Sequence, residues 1–177
     1  MDNIRKVIEK AWQARRLGRL EDAERGLLRA IEMSRQSGAR VDLIRALHSL
    51  GQVMRDLGQS ERALPLCQEA ADLSRQEGDD LLLAHTVRHL GDLHREAGRL
   101  EEADSCYQEA LTLYGGAAQP PPLAHANALR PAALLKEDQG EVEAARQLWS
   151  QARRLYESAG VAAGVAECET RLSQLGT

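Results

Sequence analysis

The chain is predicted to be an all-α repeat array: four helical hairpins followed by a C-terminal capping helix. Three observations predict it. First, a glycine recurs at Gly18, Gly58, Gly98 and Gly140, at spacings of 40, 40 and 42 residues. Second, each glycine carries the same neighbours: a small residue seven before it (Ala11, Gly51, Gly91, Ala133) and alanines five and twelve after it (Ala23 and Ala30, Ala63 and Ala70, Ala103 and Ala110, Ala145 and Ala152). Third, apolar residues between these marks recur at helical spacing, as in Leu43, Leu47, Leu50 and Met54, and no useful stretch alternates as a β-strand would. Units that repeat in this way stack into one elongated core, and such arrays usually bind partners.

The elements follow in order. Each unit opens with a helix ended by its corner glycine, because glycine takes the left-handed conformation without strain. A second helix then buries its two alanines, with Cys67 and Leu73, Tyr107 and Leu113, or Trp149 and Leu155 beside them. Helices crossing at about 8–10 Å need small side chains at the crossing. A glycine inside a helix costs about 1 kcal/mol relative to alanine, so Gly51 and Gly91 imply contacts too close for a methyl group. The whole of 1–177 reads as one array, with repeats at about 3–39, 40–79, 80–119 and 122–160. A helix over 161–176 presents Val161, Val165, Cys168, Leu172 and Leu175 on one face and caps the stack. Between the third and fourth repeats, Gly115 to Pro122 (GGAAQPPP) is the place for a small break. Pro131 is expected to kink the fourth first helix or delay its start, freeing the Asn127 carbonyl; Pro65 lies near a helix start and is less disruptive.

Composition narrows the functional classes. The 177 residues are 43% hydrophobic and 28% charged, with 3% aromatic and no Phe. The core must therefore be built from Leu, Ala, Val and Ile. A net charge of −4 and a pI of about 5.8 argue against general nucleic-acid binding. No apolar run approaches the roughly 18 residues of a membrane span, and the N-terminus lacks the apolar core of a signal peptide. Cys67, Cys106 and Cys168 are odd in number and far apart, and are expected as buried or partly buried thiols in a reducing cytoplasm. No phosphate loop, GxSxG or paired nucleophile is present, so a non-enzyme without cofactor is expected.

The pattern Gly51/Gly58/Ala63/Ala70 and Gly91/Gly98/Ala103/Ala110 resembles the tetratricopeptide repeat. The match covers roughly residues 4 to 160. It departs from the usual 34-residue period and lacks the family's proline after the second helix, so it is similar to the longer-helix members found in regulatory and scaffold proteins. The resemblance implies a right-handed α-superhelix whose concave groove, lined by the first helices, binds a protein or peptide. Family members that hold a C-terminal carboxylate use a Lys and an Asn one turn apart; Ile8 and Trp12 stand at those positions, which excludes that clamp.

Aligning the four first helices gives the expected groove. One row is Arg5, Arg45, His85 and Asn127; the next is Ile8, His48, Arg88 and Arg130. Trp12, Gln52, Asp92 and Leu134 follow, then Arg15, Arg55, Arg95 and Glu137, with His89 one turn after His85. Three rows are largely basic on an acidic chain, which points to an acidic partner, since arginine's planar fork suits carboxylates. Against this stand Asp56, Asp92, Glu96 and Asp138, close enough to neutralise part of the ladder, and a general preference for Arg over Lys. Trp12 is the candidate apolar anchor. His85 and His89 share a helix face at metal-ligand spacing, with His48 on the adjacent first helix. Lacking an HExxH arrangement, they are expected as groove residues rather than metal ligands, able to lend a pH dependence. The reading is a cytoplasmic binding scaffold for a protein or peptide; the alternative is a sensor whose superhelix responds to a small peptide or ligand. The first hairpin lacks an obvious polar cap, which leaves end-to-end dimerisation open.

Overall fold

In the computed structural model, residues 3–176 are described. They form nine α-helices and no strand: α1 (Ile4–Arg16), α2 (Leu20–Ser37), α3 (Arg40–Asp56), α4 (Ser60–Glu77), α5 (Asp80–Glu96), α6 (Leu100–Gly116), α7 (Pro122–Asp138), α8 (Val142–Ser158) and α9 (Ala162–Gln174). Helices α1 to α8 pair as four hairpins, and α9 packs on α8. The first helices of successive hairpins also touch one another, α1 to α3, α3 to α5 and α5 to α7, whereas the backbones of the second helices do not. That asymmetry curves the stack into a right-handed α-superhelix with the first helices inside.

The corner glycines end α1, α3, α5 and α7 at φ of 72° to 74°. There the chain reverses through a Schellman motif: the N–H of Arg19, Gln59, Arg99 and Glu141 donates to the carbonyl of Ala14, Met54, His94 and Lys136 at 2.8–2.9 Å. Gly38, between the first two hairpins, and Gly160, between α8 and α9, do the same work, with Ala39 N–H on Ser34 and Val161 N–H on Tyr156; Gly78 is also left-handed, and the three lie at φ of 69° to 71°. The junction of α6 and α7 is the exception: α6 runs through Gly115 and Gly116, then Ala117 is extended and Pro122 opens α7.

All eight repeat alanines, Ala23, Ala30, Ala63, Ala70, Ala103, Ala110, Ala145 and Ala152, are fully buried. In the second and third units the small residue of the first helix faces the residue nine after the corner glycine. A Cβ added to Gly51 would lie 2.4 Å from Cys67 Sγ, and one added to Gly91 would lie 2.7 Å from Tyr107 Cε1. Cys67 and Cys168 are buried and Cys106 is half-buried, all as free thiols. Burial raises Cys67 to about 12 and Cys106 to about 11, so neither is a nucleophile at neutral pH.

Pro131 does not delay α7. The helix starts at Pro122 and passes Pro131, which is buried, without ending before Asp138. Pro131 is buried along with its neighbours Ala132 and Ala133, and its lack of an N–H costs α7 one hydrogen bond. No helix among the described residues is long and apolar enough to cross a membrane.

Candidate functional site

The inner face is organised by an offset. Repeats match at 40 residues, yet a first-helix residue meets those 37 and 41 positions on, flanking its equivalent. Arg5 pairs with Asp42 at 3.4 Å, and Arg15 with Asp56 at 2.6 Å. Arg55 reaches Asp92 at 3.5 Å and grips Glu96 through Nε at 2.8 Å. Arg95 lies 3.5 Å from Asp138, the two extra residues of the third unit making that separation 43. Positions four apart form one ridge of a helix, so each inner residue sits in the groove between two residues of its neighbour. The basic ladder is thus a set of cross-repeat ion pairs, with Asp56, Asp92, Glu96 and Asp138 as its counter-charges.

At the centre, between α3 and α5, the same offset collects a polar network. His48 meets His85 (37 on) and His89 (41 on), with ring centroids 4.6 and 4.5 Å away, and His85 and His89 are 4.9 Å apart. The Gln52 amide nitrogen lies 2.6 Å from His48 Nε2 and 2.9 Å from His89 Nε2. Arg15 of α1 donates to the Gln52 amide oxygen. Arg88 donates to His89 Nε2 and, at 3.0 Å, to Asp92. The Tyr107 hydroxyl donates to Asp92 at 2.9 Å from within the α5–α6 hairpin. Asp92, only 7% exposed, therefore has three partners: Arg88, Arg55 and Tyr107.

Burial dominates the electrostatics. It lowers His85 to about 4 and drives His48 and His89 well below the ordinary histidine value, helped by the neighbouring imidazoles and by Arg88. All three rings are neutral at pH 7. Burial, reinforced by Asp92, pushes Tyr107 far up, so its hydroxyl stays a donor.

Of the sequence-derived groove residues, Arg15, His48, Gln52, Arg55, His85, Arg88, His89 and Asp92 converge on this network. Arg45 projects from α3 with half its side chain exposed, 4.0 Å from Asp42. Trp12 is 47% exposed on α1, with the Arg16 guanidinium 5.0 Å from its ring centre. Asn127 and Arg130 belong to a second cluster at the α7–α9 end. There Tyr156 donates to Asn127 Oδ1 at 2.8 Å, and Arg130 holds Glu167 at 2.7 Å. Sequence reasoning took Tyr107 as a core residue only; its hydroxyl is part of the site. Its equivalents are Leu27, Cys67 and Trp149, and the one copy with a phenol is the one with Asp92 on its first helix.

Helical hairpins with corner glycines, buried paired alanines and a polar inner face define a superhelical repeat scaffold. Residues 42–115 match the family model described as tetratricopeptide repeat, so this stretch carries tetratricopeptide repeats. No curated protein matches it in sequence. Among solved structures it is similar to aspartyl phosphate phosphatase F from Bacillus subtilis, with 17% identity over 99% of this chain and 46% of that one and a TM-score of 0.87. It is also similar to BtubC (BKLC) from P. vanneervenii, with 18% identity over 87% and 63% and a TM-score of 0.76. The third is the putative kinesin light chain with TPR-like repeats from Podosopora anserina, with 13% identity over 99% and 97% and a TM-score of 0.73. The chain thus spans less than two thirds of BtubC and less than half of the phosphatase, and at these identities the likeness is one of fold.

Proposed function

We propose that this protein is a binding scaffold whose inner face receives an acidic segment of a protein partner. The observation that carries the reading is the inner network of Arg15, Gln52, His48, His89, Arg88 and Asp92. Burying polar groups is less favourable than burying apolar ones, and a hairpin stack needs no such network to pack. Polar chemistry on the inner face is what recognition of a polar chain requires. The counter-charges Asp56 and Glu96 are about one-third exposed, so an incoming carboxylate can take their place on Arg15 and Arg55. Trp12 with Arg16, at the α1 edge, supplies an apolar anchor.

The test uses Arg55→Gln/Arg95→Gln. Charge reversal is unsuitable, because Glu at position 55 would stand against Glu96 and Asp92. Wild type and variant are compared on an array of acidic and charge-neutralised peptides and on lysate, with circular dichroism confirming the fold. The expected result is retention of acidic peptides by wild type only, weakening with added salt. Equal retention by both proteins rejects the inner arginines as the site.

The cross-repeat ion pairs favour one alternative, a sensor. A ligand that displaces Asp56, Glu96 or Asp138 acts directly on the angle between repeats. A change in scattering radius on adding a peptide or small ligand supports this reading.

A further inference from the structure

We propose that His48, His85 and His89 form a site for a divalent transition metal with imidazole preference, such as Zn(II), bridging the second and third repeats. Their ligand atoms lie within 4.8 Å of one another. Three imidazoles at zinc–nitrogen bonds of about 2.0–2.1 Å need nitrogens about 3.3 Å apart, so side-chain adjustments on the order of 1 Å close the site. The donor set suits zinc, copper or nickel rather than calcium or magnesium.

Two further features point to an electrophile at this spot. One is what now faces the imidazole lone pairs. The Gln52 amide nitrogen lies 2.6 and 2.9 Å from Nε2 of His48 and His89, and Arg88 donates to His89 Nε2 as well. These hydrogen-bond donors occupy the place of a cation. Arg88 already has a second partner to withdraw to, Asp92 at 3.0 Å, and Gln52 is held apart from the rings by its oxygen, which accepts from Arg15. The other is the opposite edge of the rings. Nδ1 of His48 and Nδ1 of His89 are buried without a hydrogen-bond partner. His89 Nδ1 is 3.4 Å from Asp92 Oδ2, too poorly aligned to bond, yet placed as the carboxylate that commonly backs a metal-bound histidine. A small rotation of His89 toward the metal would draw Asp92 into that bond.

The experiment is calorimetric titration of the chelator-treated full chain with zinc chloride at pH 7.5, repeated with cobalt(II) for its visible spectrum. One equivalent is expected to bind, with absorption of a three-nitrogen tetrahedral site. His85→Ala and His89→Ala should each weaken zinc by more than about tenfold, and Asp92→Asn by about 10–100-fold. Gln52→Ala, which removes a competitor, should leave binding intact or tighten it. His85 is the least buried of the three rings, so His85→Ala decides the matter should the His89 variant fail to fold. No saturable zinc binding by the wild type, or undiminished binding by folded His85→Ala, overturns the assignment.

Discussion

Gly91 and Gly58 are needed for different reasons, and the two can be separated experimentally. At Gly91 a methyl group would press on the Tyr107 ring at 2.7 Å. Gly91→Ala should therefore cost about 1–3 kcal/mol in urea unfolding. At Gly58 there is open space, but φ is +72°; Gly58→Ala should cost about 1–2 kcal/mol through backbone strain alone. Relieving Tyr107 by truncation would rescue part of the first loss and none of the second. The histidines make a pH prediction. Their folded values are lowered, His85 to about 4 from an ordinary 6.5, so between these limits the unfolded chain binds more protons. Stability is thus fully present above about pH 6.5 and falls as pH drops toward 4. A melting-temperature profile of His85→Gln should be flatter across that window than the wild type's. Both corner glycines and the packing of Gly51 and Gly91 were legible in the sequence, because four copies in register mark them. Gly164, whose Cβ would meet the Tyr156 ring at 2.5 Å, was not singled out: it lies in the capping helix, outside the repeat.

Between elements, the sequence disclosed which residues line the inner helices but not which of them meet. Aligning equivalent positions sets His48 beside Arg88 and Arg45 beside His85. Packed helices instead interleave, and the neighbours of position i are i+37 and i+41. That shift turns the apparent arginine ladder into alternating charges, and it brings His48 onto both His85 and His89. The rule is itself testable at Arg15 and Asp56. In a double-mutant cycle this pair should show a coupling of about 0.2–1 kcal/mol, as expected for a partly exposed ion pair, whereas Arg15 and Arg55, at the equivalent positions, should show no favourable coupling. The helix crossings are less tolerant. Ala103 is fully buried on α6, in a cluster with Tyr107 and with Ala132 and Leu135 of α7, and Ala103→Leu should overpack that cluster at a cost of about 1–3 kcal/mol. At the start of α5, Asp79 accepts from the Leu82 N–H at 2.9 Å, and Asp79→Ala should lose about 1 kcal/mol of cap.

Across the whole molecule, order and class of the helices were legible because repetition amplifies a weak local signal fourfold. What the repeat could not disclose is its own irregularity. Hairpins one to two and two to three are joined at Gly38 and Gly78, and α8 meets α9 at Gly160, each with a left-handed glycine. Only the α6–α7 connector, among the described residues, lacks a left-handed glycine: 117–121 bends between an extended Ala117 and an extended Pro121, and α6 touches α7 less than any other two sequential helices touch. Side chains bridge α6 and α7 through Tyr114 stacked on His125 at 5.4 Å, Lys136 paired with Asp104 at 3.0 Å, and the apolar cluster of Ala103, Tyr107, Ala132 and Leu135. In a one-dimensional stack, stability is a sum of unit terms and nearest-neighbour couplings. A single weak coupling divides such a chain into two cooperative blocks, here α1–α6 and α7–α9. Amide exchange should then show two protection levels meeting at residues 117–121, and a flexible insertion between Ala118 and Gln119 should shift the melting temperature less than the same insertion after Gly98. The proline-bearing connector is, in these terms, a seam along which one block can open while the other stays folded.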